Sequence, residues 1–213
     1  GISVSPAREA GCCGAVDYHL NAQEAGLDRA RRNIDAWWPA IEAGAEAIVQ
    51  TASGCGAFVK EYGHLLKDDP AYAAKAARVS ELAKDLVEVL RSAELEKLDV
   101  RADKRMAFHC PCTLQHAQKL GGAVDDVLTR LGYQLTAVPD AHLCCGSAGI
   151  YNMIKPEAAA ELGERKAGKI RDARPDVVVT ANPGCLLQIG KYLPQDGFAD
   201  VSLLHPVQLL DAS

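Results

Sequence analysis

Apolar residues recur along this chain with two periods. Leu27, Ala30, Ile34, Trp37 and Ile41 repeat every three or four positions, which predicts an amphipathic helix over 22–43 with both tryptophans in the core. An Asn21/Glu24 capping box would open it, Pro39 would kink it and Gly44 would stop it. Short apolar or β-branched runs predict strands at 2–4, 47–51, 106–109, 133–138, 177–180 and 201–204. Helices are expected over 57–66 and 72–90, from an N-cap at Thr113 across Gly121-Gly122 to 131, over 156–172 behind Pro156, over 183–193, and briefly from Pro206. Strand then helix, repeated, predicts an α/β fold with parallel sheets covered by helices.

The pattern occurs twice. Cys12-Cys13-Gly14 corresponds to Cys144-Cys145-Gly146, and Val49-Gln50-Thr51-Ala52-Ser53-Gly54-Cys55 to Val178-Val179-Thr180-Ala181-Asn182-Pro183-Gly184-Cys185. The intervals between the paired motifs are 41 and 39 residues, too long a period for a solenoid and too regular for coincidence. Val79-Ser80 echoes Val201-Ser202. Two tandem lobes follow, 1–100 and 101–213, meeting in the charged, aperiodic stretch 91–104. The first lobe lacks a counterpart of His109-Cys110-Pro111-Cys112, and the chain starts at Gly1 without Met. The first lobe is therefore expected to be incomplete, with apolar surface left uncovered, and the chain to be a piece of a longer protein.

Composition narrows the chemistry. The 213 residues suffice for real cores, and a net charge of −5 without a basic run argues against nucleic acid as a partner. No apolar stretch is long enough to span a membrane, and the first twenty residues lack signal-peptide features. Gly54-Cys55-Gly56 lacks the third glycine of a dinucleotide fingerprint. Eight cysteines are too sparse for a stapled mini-domain, whereas adjacent cysteine pairs suit delivery of two thiolates to one soft metal. Cys110, Cys112, Cys144, Cys145 and Cys185 fall in three clusters at strand exits, where their thiolates can converge. Four or five thiolates fit an iron–sulfur cluster, with amides of Gly146 and Gly184 donating to sulfur; four also fit a structural zinc. Cys12, Cys13 and Cys55 are one ligand short of a site, leaving open a cluster completed from upstream or a lobe that serves in packing. None of the six histidines is assigned as a ligand.

These motifs resemble the cysteine-rich CCG domain found in heterodisulfide reductases and in iron–sulfur subunits of membrane-associated dehydrogenases, whose pattern is a cysteine, a Cys-Cys-Gly and a C-x-x-C. The wording around Cys110-Pro111-Cys112-Thr113-Leu114 and Asn182-Pro183-Gly184-Cys185 is most similar to the glycolate oxidase branch of that family. The resemblance matches Cys112 to the single cysteine, Cys144 and Cys145 to the pair, and Cys185 to the last cysteine of C-x-x-C. Asn182, and Ala52 in the first repeat, stand where that motif begins, and Cys110 is the candidate substitute thiolate. The resemblance implies a [4Fe-4S]-type cluster and electron transfer between a flavin-bearing oxidase subunit and a quinone or other carrier. It also implies a cytoplasmic location, peripheral to the membrane through the complex. Two alternatives stay open: a heterodisulfide-reductase-like catalytic module, and a zinc-bound or metal-free scaffold.

Overall fold

The computed structural model of the chain describes residues 2–100, 102–194, 198 and 200–210. Gly1, on which the expectation of a preceding segment rests, lies outside them, as do Arg101 and 211–213 at the edges of the second sequence repeat. The chain divides into two compact units, Gly1–Gln50 with Cys55–Asp85, and Thr51–Gly54 with Leu86–Ser213.

In the first unit, α1 (Ala15–His19) and α2 (Gln23–Glu42) lead to β1 (Ile48–Gln50); α3 (Ser53–Lys60), whose first two residues belong to the second unit, α4 (Tyr62–Leu65) and α5 (Ala73–Leu82) lead to β2 (Ala83–Asp85). The two strands pair in parallel, from Ile48 opposite Ala83 to Gln50 opposite Asp85. The apolar stripe of α2 supplies Ala30, Ile34 and Trp37 to a core completed by Phe58, Val59, Tyr62 and Val79. Each such large side chain, once buried, contributes about 1.5–3 kcal/mol.

Several expectations change here. Residues 2–4 form no strand, and Ile2 and Val4 are exposed. Asn21 caps nothing: with φ of +67° it closes α1, and the N-cap of α2 is Ala22, without a side-chain bond. Trp37 is buried, but Trp38 is half-exposed, its Nε1 donating to Glu42 at 2.8 Å and its ring lying under Lys75. The expected helix over 72–90 is cut at Ala83, which turns extended so that 83–85 can pair with β1. Ladder bonding there overrides a helical pattern that continues on both sides.

The second unit contains α6 (Leu86–Ser92), β3 (Arg105–His109), α7 (Ala123–Arg130), β4 (Gln134–Leu135), α8 (Tyr151–Ile154), α9 (Pro156–Asp172), β5 (Val177–Thr180), α10 (Pro183–Tyr192) and β6 (Ser202–Leu204). Its four strands are all parallel, in the order β4-β3-β5-β6. Strand alternation sorts the faces. Met106, Phe108, Val177 and Val179 join one core with Val124, Leu128 and the α6 residues Val87 and Leu90. Val178 faces the other, with Ile170, Ile189, Cys145 and Cys185. The helix expected from Thr113 to 131 is broken by Gly122 at φ +78°, leaving a π-helical turn at Thr113–Ala117 and a separate α7. Thr113 does not cap; its Oγ1 lies 2.8 Å from Ser53 Oγ.

Candidate metal centre

The chain runs from β3 to β4 on one side, then crosses to β5 on the other. The carboxyl ends of β3 and β5 therefore flank a switch point, the place where parallel sheets open a crevice. Three segments deliver sulfur to it. Cys112 follows β3, Cys144 and Cys145 end the loop after β4, and Cys185 sits in the first turn of α10. Asn182 makes that turn start where it does: its Oδ1 accepts from the Gly184 amide at 2.9 Å and the Cys185 amide at 3.3 Å. Gly184, expected to donate to sulfur, is thus committed to its own helix cap.

The four thiols form one line of hydrogen bonds, Cys112 to Cys144, Cys144 to Cys145 and Cys145 to Cys185. Protonation alternates along it. Donation from Cys112 and then Cys145, helped by the Gly146 amide 3.3 Å from its Sγ, holds Cys144 down at about 2. Donation from Cys145, against burial, brings Cys185 to about 5, with His109 contributing in the same direction. Cys112 and Cys145, the donors, are pushed up correspondingly, with burial adding to the rise. Sulfurs that share protons along one buried line are a ligand set suited to a soft cation.

Cys110 packs against the core of Met106 and Phe108, with its Sγ 4.0 Å from the Pro111 carbonyl. Its neighbour His109 faces the sulfurs. Alternation along β3 turns His109 to the sulfur side, and its ligand atom, with those of Cys145 and Cys185, forms a group within 4.8 Å of one another. His109 is 4% exposed, and neither ring nitrogen makes a geometrically sound hydrogen bond. Thr180, its register partner on β5, is fully buried with Oγ1 equally unpartnered. Buried polar atoms left in this state are rare. Together with the thiolates they fit a site shaped for a group that takes up soft anionic and imidazole ligands. Residue type points toward Cys110; the two-residue period of 106–109 is the signal that points to His109 instead.

Lys166 on α9 was not anticipated either. It is 1% exposed, and its Nζ donates to the carbonyls of Ala141 at 3.0 Å and Asp140 at 3.4 Å. Burial lowers its pKa, and the four cysteines of the line push it back up. Gly146, at φ +88°, lets the Cys-Cys-Gly loop lie directly on α9.

The first unit repeats this arrangement in reduced form. Gly14 has φ of +94° and lies against the Gly26 carbonyl. Cys13 is buried and hydrogen-bonds to Cys55, which brings Cys55 to about 7 against burial and the adjacent Cys12, and raises Cys13. Asn33 holds the loop, accepting from the Gly11 amide at 2.8 Å and donating to the Cys12 carbonyl at 3.2 Å, while Tyr62 donates to the Cys13 carbonyl at 2.7 Å. Cys12 itself is exposed.

The family model of the cysteine-rich CCG domain matches residues 1–60 and 106–190. The chain belongs to the CCG cysteine-rich domain family. Among its relatives, the glycolate oxidase iron-sulfur subunit of Escherichia coli K12 is 69% identical over 87% of this chain and 46% of its own length. The probable glycolate oxidase iron-sulfur subunit of Bacillus subtilis 168 is 32% identical over 95% of this chain and 46% of its own length. Lactate utilization protein A of Geobacillus kaustophilus is 29% identical over 94% and 82%. The chain thus spans about half the length of the two glycolate oxidase relatives. Among the described residues, no helix is long and apolar enough to cross a membrane.

Proposed function

We propose that this chain is an electron-carrying, iron–sulfur part of a complex that oxidises glycolate or a similar 2-hydroxy acid. The observation that carries the reading is the unbroken line of Cys112, Cys144, Cys145 and Cys185 at the strand ends of one sheet. The names of the E. coli and B. subtilis relatives support the complex and its substrate class. Bound there, a [4Fe-4S]-type cluster supplies one-electron storage and release.

The chain's own residues would do the rest. Burial of Cys145 and Cys185 keeps water from the ligands. The Gly146 amide stabilises negative charge on Cys144, and Lys166 offers a buried cation within electrostatic reach of all four sulfurs. Hydride abstraction falls to a flavin-bearing partner subunit, and a quinone or another carrier takes the electrons; the chain would work peripherally, at the cytoplasmic face of the membrane. Cys12, Cys13 and Cys55 form a second, smaller thiol group that needs a further ligand to hold a cluster.

The test is iron, acid-labile sulfide and zinc, counted on anaerobically purified protein and on Cys144→Ser. Iron and sulfide falling together in the variant is the expected result. Stoichiometric zinc without sulfide would replace this reading with a structural metal site.

A further inference from the structure

Resting on that reading and going beyond its cysteine ligands, we propose that His109 is a direct nitrogen ligand of the centre in the second unit. One position of the family pattern is unfilled here. The pattern has a cysteine where this chain has Asn182, and Asn182 cannot take up the task. Its Oδ1 is occupied by two amides of α10, and its Nδ2 donates to Ser53 Oγ at 3.2 Å. Cys110, the substitute that residue type suggests, packs against the core on the other sheet face.

What the fold presents to the sulfurs instead is an imidazole. Residues 105–109 form a strand whose side chains alternate, so with Phe108 in the core with Met106, His109 falls on the face of Ala107. There it meets Cys145 and Cys185 with ligand atoms within 4.8 Å of one another. Two ligands of one metal, each at about 2.0–2.3 Å, are separated by no more than about 4.6 Å. Little rearrangement would let all three reach one metal centre. The ring, 4% exposed to solvent, has no oxygen or nitrogen partner and faces the Cys185 sulfur. Burying an imidazole without oxygen or nitrogen partners is costly, and a metal bond offsets that cost. Ligation uses the lone pair of a neutral imidazole and carries no added negative charge, unlike a thiolate. Histidine in place of cysteine raises the reduction potential of an iron–sulfur centre.

The experiment uses the intact protein, prepared anaerobically with 15N-labelled histidine and poised in its paramagnetic state. Pulsed electron paramagnetic resonance should show a strongly coupled histidine nitrogen that disappears in His109→Ala. In His109→Cys, iron and sulfide should be retained and the midpoint potential should fall. A wild-type cluster without a strongly coupled nitrogen, or a coupling that persists in His109→Ala, would overturn His109 as a ligand while leaving the iron–sulfur reading standing. Wild-type protein without iron and sulfide would instead overturn that reading, and this inference with it. Because the labelled wild-type protein answers the question, the result does not depend on either variant folding.

Discussion

Two residues show how narrowly the centre is built. Gly146 occupies the left-handed region, and a Cβ there would stand 2.6 Å from the Ala159 carbonyl oxygen and 3.3 Å from its Cα. Both obstacles are backbone on α9, so neither can rotate away. Gly146→Ala should lower stability by on the order of 2–4 kcal/mol, combining left-handed strain with overpacking, and should loosen metal retention. A urea midpoint equal to wild type would refute that. Lys166 acts through charge rather than shape. Adding an electron to an already anionic centre is easier beside a buried ammonium, so Lys166→Met should lower the midpoint potential. The shift should be on the order of a tenfold change in the one-electron equilibrium, about 59 mV, read by a redox titration followed spectroscopically. An unchanged potential would mean that the lysine only anchors the Asp140–Ala141 turn.

At the scale of elements, β3 and β5 carry the centre, and their register is what aligns it. Both strands begin at an ion pair: the Asp176 carboxylate accepts from the Arg105 guanidinium at 3.2 and 3.3 Å and from its amide at 2.9 Å. The guanidinium first, then the amide, holds the Asp176 carboxyl below the usual carboxylate range. A carboxyl lowered on folding binds fewer protons in the folded state than in the unfolded one. Its contribution is therefore complete above the unfolded value near 3.9 and lost as pH falls through the folded one. Asp176→Asn should remove that part of the acid sensitivity, making the urea midpoint flatter between about pH 5 and pH 2. Both side chains are solvent-exposed, so the effect at neutral pH should be small. The elements also show where local pattern stops predicting. Gly121-Gly122 are two poor helix formers, but the apolar stripe of 114–131 predicts a helix across them, and it is Gly122 at φ +78° that breaks it. The strand at 83–85 was not visible, because its residues carry no strand pattern and pair only because β1 lies alongside.

At the scale of the whole molecule, each unit has its own core, and both tryptophans lie in the first. Trp37 stacks on Tyr62 with centroids 6.4 Å apart. Cys144→Ser, which disturbs the second unit, should leave the tryptophan emission maximum unchanged in native buffer while lowering the thermal midpoint seen by far-ultraviolet circular dichroism. A red-shifted maximum in the variant would show that the first core depends on the second centre.

The order of strands and helices, the repeated Cys-Cys-Gly and the placing of cysteines at strand exits follow from the sequence by itself. They rest on periods of two and 3.6 residues and on turn chemistry, which act over a few positions. Which ligands meet depends on register and loop path between positions as distant as 109 and 185, and only the tertiary structure decides that. It set Cys110 in the apolar core, turned His109 toward Cys145 and Cys185, and brought Lys166 from α9 to within reach of their charge. The reason is physical: burial of one strand face fixes which alternate residues reach the other, and that choice is made by the whole sheet at once.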